Sequence, residues 1–385
     1  MIKVTHIISS VGLGGVQNNL IDKAQYDKKY SIKRKVLCII RDNGELEKQF
    51  RNSNIEILNC LITPSDKNYR PYRIFKIIRK LSSILFMFKL FYIFKKDDSK
   101  IIHSEDSSRL FSQFIAAYLT KKKFIWQLHT NCEVIKSNIY KNIFYKLVKF
   151  GKITLLVDSN ASIKSNIYKI YEKKLFHLVS PGINISKFSQ NKNRLKFNVQ
   201  KGDIVFGSVG RLHPTKGFDI LIKSFSKLVN DKGEKYKLFI AGDGPLKVSL
   251  KNLIEELGLS RNIILLGEVN NIEQFLSSLN YYIQSSLNEG FPLATIEALA
   301  SRIPIISTDS GGLSELIEDS KNGIMVNRNS ITALYGGILK ILSIPCEEID
   351  IMIQNGFHTA SEFSTKAALD KDILFYKSLI NSNFL

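Results

Sequence analysis

Two carboxylates, Glu289 and Glu297, flank seven residues in the stretch Glu-Gly-Phe-Pro-Leu-Ala-Thr-Ile-Glu. The first adjoins a Gly290-Phe291-Pro292 turn. The second lies in an apolar run that reads as a helix to about Ser301, and residues 281–286 before them read as a buried strand. Strand, acid-bearing loop and helix, in that order, set the free N–H groups of a helical first turn beside a carboxylate. Pro292 suits the opening position of that helix, where its missing N–H has no helical partner. An acid next to an anion site calls for a ligand that carries both hydroxyls and phosphate. A nucleotide-sugar answers to that description.

A second constellation lies upstream. The apolar run 204–209 ends in Gly210-Arg211-Leu212, followed by His213-Pro214-Thr215-Lys216-Gly217 and a helical pattern. Arg211 offers a planar fork of donors and Lys216 a point charge, and from the carboxyl end of one strand both can converge on a diphosphate. A third apolar run ends in Ala241-Gly242-Asp243-Gly244-Pro245-Leu246. In open α/β sheets, ligands collect outside the carboxyl ends of the strands, and all three motifs fall at such ends.

The elements that position these residues follow from the alternation of apolar runs. Strands are expected at 4–9, 35–40, 55–60, 100–103, 124–129, 153–158 and 176–179, with helices between them, for example 16–28 and 107–120. After a polar stretch the alternation resumes with strands near 204–209, 236–241, 263–266, 281–286 and 304–307. Such alternation argues for parallel sheets joined by crossover helices. At 385 residues the chain exceeds what one core holds. The expected fold class is α/β, with two Rossmann-like doubly wound domains facing a central cleft. The expected bounds are 1–185 for the first domain, 186–202 for a linker, 203–365 for the second, which carries the three motifs and so the nucleotide-sugar site, and 366–385 for a helix that packs back toward the first.

The net charge of +20 is unevenly spread: residues 1–200 hold 37 Lys and Arg against 14 Asp and Glu, the remainder 18 against 21. Lysine-rich usage explains abundance but not confinement to one half, and a basic half implies an anionic partner. Residues 70–96 concentrate the effect, with eight basic residues, no acid and many aromatics. Their apolar part, 84–94, is too short to span a bilayer and is broken by Lys89. A basic, aromatic-rich amphipathic helix reads as a segment that lies on an anionic membrane surface; the plainer alternative is a core helix capped by lysines. Cys38, Cys60, Cys132 and Cys346 form no CxxC and read as reduced. Met1-Ile2-Lys3-Val4 enters a strand pattern directly, so the expected location is cytoplasmic, peripheral on the inner face of the cytoplasmic membrane.

Taken together, Gly210-Arg211-Leu212 with Lys216-Gly217, Ala241 to Leu246, and Glu289-Gly290-Phe291-Pro292 with Glu297-Ala298 resemble glycosyltransferase family 4, retaining enzymes of the GT-B fold. Gly14-Gly15-Val16-Gln17 looks like the family's glycine loop after the first strand. Ser159-Asn160-Ala161-Ser162, Ser180-Pro181-Gly182-Ile183-Asn184 and Gly311-Gly312-Leu313-Ser314-Glu315 are similar to further landmarks. The resemblance implies that Arg211 and Lys216 hold the donor diphosphate, that Glu289 meets donor sugar hydroxyls and that Glu297 meets the ribose. Gly290, Phe291, Pro292 and Leu293 would flank the amides near the phosphate, although Pro292 itself cannot donate. Gly14, Gly15, Gly210 and Gly242 would let backbone approach the donor, and Gly267 and Val269 would lie by the nucleobase. His129, in Gln127-Leu128-His129-Thr130, matches the family's active-site histidine. His103 is a weaker candidate, and where some relatives have another histidine two residues on, this chain has Glu105.

The implied activity is transfer, with retention, of a hexose or N-acetylhexosamine from a nucleotide-sugar to a saccharide or polyprenyl-linked acceptor in surface-polysaccharide synthesis. UDP is the base the family favours. No cofactor or metal is expected, since no Asp-x-Asp triplet and no His/Cys cluster stands out, which leaves charge stabilisation to Arg211, Lys216 and helix dipoles. No nucleophile for a double displacement stands out, so a front-face route is preferred. Singly, each motif has a plainer explanation: Gly14-Gly15 as a helix-entry turn, His129 as a core histidine, the glutamates as a capped helix with a surface charge. Their occurrence in order at successive strand ends favours the site. A nucleotide-sugar epimerase or hydrolase on the same architecture would need further carboxylates and histidines around the sugar. A nucleic-acid-binding protein would need no paired acids, and the near-neutral second half argues against it.

Overall fold

A computed structural model describes residues 1–9, 15–39, 47–58, 74–107, 109–128, 138–164, 175–190 and 193–381. They form two units, Met1–Gly182 with Thr365–Leu385, and Ile183–Ser364. In the first, β1 (Ile2–Ile8), β2 (Ile32–Cys38), β3 (Glu56–Leu58), β4 (Ile101–Ser104), β5 (Lys123–Leu128), β6 (Thr154–Val157) and β7 (Phe176–Leu178) pair in the order β3-β2-β1-β4-β5-β6-β7, all parallel. Helices cover both faces, so these strands bury both sides, as parallel sheets do. Ile7, Ile102 and Trp126 face Phe86, Leu90 and Phe94 of the helix Ile74–Lys96, Phe114 of Leu110–Leu119 and Phe144 of Asn138–Lys149. The neighbouring residues Val4 and Ile101 point the other way, onto Tyr376 and Leu379 of the helix Thr365–Asn381.

The second unit repeats the plan. β8 (Ile204–Val209), β9 (Tyr236–Ala241), β10 (Ile263–Gly267), β11 (Tyr281–Gln284), β12 (Ile305–Thr308) and β13 (Ile324–Val326) run parallel in the order β10-β9-β8-β11-β12-β13. In each unit the chain order reverses beside the first strand, at β1/β4 and at β8/β11, the switch point where doubly wound sheets take ligands. The helix Phe218–Lys232 shows how the sequence builds a layer. Leu221, Phe225 and Leu228 recur at helical spacing and are wholly buried, each worth roughly 1.5–3 kcal/mol of apolar burial. Gly233 then ends the helix, its N–H on the Val229 carbonyl at 2.9 Å.

Several expectations differ from what forms. The polar stretch 186–202 is no free linker. Phe188 of the helix Ile185–Ser189 is buried, and the Phe197 ring stacks on Phe239 at 4.0 Å, so apolar side chains scattered in polar text fasten it to the second unit. The helix expected over 16–28 is two, Gly15–Ala24 and Asp27–Tyr30, because Asp27 turns to pair with Arg34 of β2 at 2.9 Å. β13 is three residues long, too short for any alternation to show in sequence.

A chain of polar groups runs through the second face of the first sheet. His6 of β1 gives its Nδ1 proton to Glu105 at 2.8 Å, and Arg34 stands 3.3 Å from its Nε2. Gln127 donates its amide to Asp158, which leaves its carbonyl oxygen for Nε2–H of His103 at 2.7 Å; Nδ1 of His103 then accepts from the Tyr376 hydroxyl at 2.9 Å. Lys23 pairs with Asp372 at 2.8 Å. Both histidines are thus fully hydrogen-bonded as neutral rings, in opposite tautomers. Burial lowers His6, against the pull of Glu105, and takes His103 from 6.5 down to about 3, with the neighbouring His6 adding to the effect.

The sign of the pH dependence follows. Below about 6.5 the unfolded imidazole takes a proton and folded His103 does not, so the unfolded chain binds more protons and stability falls as pH falls. Above that value the contribution is complete. Thermal melting of the wild type should show a falling midpoint between pH 7 and pH 5, about 1.4 kcal/mol per pH unit for one such histidine. His103→Gln, which keeps hydrogen-bonding groups but does not titrate, should show a shallower fall over the same range.

Candidate functional site

The second sheet carries its polar groups at the carboxyl ends of the strands around the β8/β11 switch point. The loop after β8 is locked by its own residues. His213 caps a 3-10 turn, Pro214–Lys216, through its Nδ1, and Gly217 leaves the turn in the left-handed region. This loop is then tied to the one after β11. Leu287 N–H donates to the Thr215 carbonyl at 2.8 Å, and the Ser285 hydroxyl to the Lys216 carbonyl at 2.9 Å. The outcome is a short ion pair, Lys216 Nζ to Glu289 Oε2 at 2.6 Å, with side chains 22% and 10% exposed. Ser286 Oγ donates to the same carboxylate oxygen at 2.9 Å. Arg211, one strand-end residue away from Gly210, is exposed, and its guanidinium has no hydrogen-bond partner among the described residues.

Two glycines make this arrangement possible by letting backbones touch. Gly242, at φ +143°, lies so close to Gly210 that an added Cβ would stand 2.0 Å from its carbonyl oxygen. Gly311, at φ +53°, presses in the same way on the Glu289 carbonyl, again 2.0 Å from an added Cβ, and Gly312 N–H bonds that carbonyl at 2.9 Å. No residue with a side chain fits either contact without moving the loop. The ends of β8, β9 and β10 are joined likewise: Gly210 N–H reaches Ala241 O at 3.0 Å and Gly242 N–H reaches Gly267 O at 2.7 Å. Gly267 and Val269 therefore follow the sheet edge two strands from β8, where Val269 is half-buried.

Pro292 precedes the helix Leu293–Ala300 as its cap, one residue earlier than expected, at φ −89° and ψ 68°. Its carbonyl accepts from Thr295 and Ile296 at 3.0 and 3.1 Å, so it starts the helix from outside. Gly290 is buried and Phe291 half-buried, with its ring 5.6 Å from Phe363. Glu297 is half-buried on the same helix. Glu297 and Glu289 both lie near enough to Tyr282 for their charges to add to the burial that drives its hydroxyl far above the usual tyrosine range. The structure thus brings Lys216, Glu289, Glu297, Gly210, Gly242 and Gly290 to one end of one sheet.

Other candidates fall elsewhere. Gly15 opens the helix Gly15–Ala24 in the first unit and is exposed. Gly14 and His129 lie outside the described residues, as does 70–73 of the basic segment. His103 is buried with both ring nitrogens engaged, so it is a structural histidine rather than a group presented to ligand. Among the described residues, His6, His103 and Glu105 could approach one metal ion, their ligand atoms within 4.8 Å. The Arg34 guanidinium against His6 opposes a cation there. The expectation that the chain has no Asp-x-Asp triplet is wrong: Asp370-Lys371-Asp372 is one. It lies on the helix Thr365–Asn381, where residues two apart point in different directions and Asp372 is spent on Lys23. The sequence reading passed over Ser286, whose only signal was its place three residues before Glu289.

Over residues 189–359 the chain matches the family described as glycosyl transferases group 1. It is similar to an uncharacterised glycosyltransferase of Methanocaldococcus jannaschii, 32% identical over 282 residues, 69% of this chain and 66% of that one. The chain thus spans about two thirds of that relative's length. The UDP-Gal:alpha-D-GlcNAc-diphosphoundecaprenol alpha-1,3-galactosyltransferase of Escherichia coli is 26% identical over 383 residues, 93% of each chain. Among solved structures, Anabaena HepE in complex with UDP and glucose aligns with a TM-score of 0.78 at 18% identity, over 98% of this chain and 100% of that chain; this likeness is one of fold.

Proposed function

We propose that this chain, which belongs to the glycosyl transferases group 1 family and has the two Rossmann-like sheets of the GT-B fold, is a retaining, family 4-like transferase. It moves a hexose or N-acetylhexosamine from a UDP-sugar to a saccharide or polyprenyl-linked saccharide acceptor in surface-polysaccharide synthesis. The observation that carries this reading is the pairing of Lys216 with Glu289 at 2.6 Å at the β8/β11 switch point, with the exposed Arg211 in the same loop after β8. Two cations and a carboxylate there suit a diphosphate joined to a polyol. The Escherichia coli relative, by its name, takes galactose from UDP and acts on a diphosphoundecaprenol-linked sugar, which supports both the donor and the acceptor class.

In this mechanism Arg211 and Lys216 take the diphosphate, and the dipole of the helix Leu293–Ala300 adds to the anion site. Glu289 accepts from sugar hydroxyls and Glu297 from the ribose. The bond from the anomeric carbon to phosphate breaks as the bond to the acceptor oxygen forms on the same face. The acceptor's proton passes to the departing phosphate, whose charge the two cations neutralise. Glu289, already engaged by Lys216 and Ser286, is assigned to binding rather than to covalent attack. A panel of UDP-, GDP- and ADP-sugars, assayed with and without acceptor, should give acceptor-dependent transfer that persists in excess chelator. Lys216→Ala and Arg211→Ala should each lose about a hundredfold in turnover, the cost of one charge-assisted donor at about 3 kcal/mol; the exposed Arg211 variant should melt as the wild type does, and the Lys216 variant lower, because it leaves the largely buried Glu289 without its cation. Turnover above half of wild type in either variant, or activity lost to EDTA and restored by Mg²⁺, would contradict the assignment.

The same reading extends to the membrane, with the protein peripheral on the inner face of the cytoplasmic membrane. No helix among the described residues is long and apolar enough to cross one. The helix Ile74–Lys96, however, is apolar on two sides. Phe86, Leu90 and Phe94 enter the core, while Leu85 and Phe88 are 69% and 61% exposed, with Ile84, Tyr92, Lys89, Lys95 and Lys96 outward too. Lys96 lies 4.2 Å over the Tyr92 ring, and Tyr118, Leu119 and Phe150 extend the exposed apolar surface of this unit. Aromatics set among lysines suit an anionic lipid surface, to which each basic residue contributes about 1 kcal/mol at low salt. The protein should sediment with anionic liposomes at low salt, release at high salt and ignore neutral ones. Leu85→Ser with Phe88→Ser, and separately Lys89→Gln with Lys95→Gln and Lys96→Gln, should each weaken sedimentation without changing donor binding. Equal binding to neutral vesicles, or no effect of either set, contradicts the docking.

A further inference from the structure

Three buried polar side chains run along β11 and its extension toward Glu289. Tyr282, Gln284 and Ser286 are 0%, 2% and 0% exposed, at positions where a parallel core strand is ordinarily apolar. The Tyr282 hydroxyl lies 2.6 Å from Gln284 Oε1, Gln284 Nε2 lies 2.8 Å from Ser286 Oγ, and Ser286 Oγ lies 2.9 Å from Glu289 Oε2. The carboxylate end sets the direction. An ionised carboxylate only accepts, so the Ser286 proton points to Glu289, and the serine oxygen takes its own donor from the Gln284 amide. The Gln284 carbonyl oxygen is then left facing Tyr282, which donates. The Ser286 backbone is fixed as well, its carbonyl accepting from the Thr308 hydroxyl at 2.6 Å.

Buried polar groups are costly unless every member is satisfied, and a satisfied chain holds its geometry. We infer that Tyr282, Gln284 and Ser286 are positioning residues that keep the Glu289 carboxylate aimed when Lys216 leaves it for the donor's diphosphate. The inference rests on the donor-binding roles proposed above. Among the described residues, Glu289 Oε2 has two donors, Lys216 and Ser286. A phosphate that draws Lys216 away removes one, and the relay supplies the other from inside the sheet. Lys216 and Glu289 can then serve different parts of one ligand although they start as partners.

The test uses Ser286→Ala, Tyr282→Phe and the conservative Ser286→Thr, each in the full chain. Three readouts are needed: steady-state transfer, calorimetry with UDP alone, and crystal structures of the variants. Ser286→Ala should lower kcat by about tenfold or more, since small misplacements of a substrate-binding group are costly, with UDP affinity unchanged. Ser286→Thr should recover most of the loss, Tyr282→Phe should fall between, and the Glu289 carboxylate should be displaced in the alanine variant. Unchanged kcat with Glu289 in place in both Ser286→Ala and Tyr282→Phe overturns the inference. So does a fall in UDP affinity and melting temperature that matches the fall in kcat, because that marks a merely structural role. A wild type that transfers no sugar would count against the proposed function instead, and the position of Glu289 in the variant crystals would then decide the relay.

Discussion

The ion pair between Lys216 and Glu289 is the contact on which the second unit's arrangement depends. It joins the loops after β8 and β11, adjacent strands at which the sheet reverses its order. Exposed ion pairs are worth little, but this one is largely withdrawn from water, and removing either partner would strand a charge. The surrounding backbone serves to keep the pair short. Thr215 and Lys216 carbonyls accept from the loop after β11, and Gly311 brings the loop after β12 onto the Glu289 carbonyl. A cation and a carboxylate held together in this way can each be drawn off by a ligand that offers a phosphate to one and hydroxyls to the other. Arg211, exposed in the same loop, is assigned to the diphosphate beside Lys216 under the proposed function.

The first unit uses its polar residues differently. Its buried network fastens the helix Thr365–Asn381 to the sheet through Tyr376 and to the helix Gly15–Ala24 through Asp372. His6 and His103, which by residue type are the obvious acid–base candidates, are held neutral by burial and by hydrogen bonds that already use both ring nitrogens. Chemistry-bearing residue types therefore mean opposite things in the two sheets. At the end of a strand beside a switch point they tie one loop to the next at the open end of the sheet, and along the strand body they fix a helix to the sheet.

How much could be read from sequence follows from the same distinction. β8, β9 and β11 were legible because their apolar runs are bounded by glycine-rich loops, and Arg211, Lys216, Glu289 and Glu297 because each falls at such a boundary. The pairing of Lys216 with Glu289 was not legible. They are far apart in sequence, and only the β8/β11 adjacency brings them together. Ser286, Gln284 and Tyr282 were hidden inside an apparent core strand, where a polar residue gives no sign of its direction. Phe188 and Phe197 were lost in polar text and read as linker. The acidic pair Asp370 and Asp372 could be judged only once Lys23 was seen opposite Asp372.

The most direct measurement is titration calorimetry of UDP, and of the UDP-sugar that the wild type turns over, into the wild type, Glu289→Ala and Glu297→Ala. Glu289→Ala should bind UDP as the wild type does and lose the added affinity of the sugar, because its carboxylate is assigned to sugar hydroxyls and its departure leaves Lys216 free for phosphate. Glu297→Ala should lose affinity for both ligands, because it is assigned to the ribose they share. Equal losses in the two variants, for both ligands, would contradict the division of labour between the two carboxylates and with it the account of the Lys216–Glu289 pair.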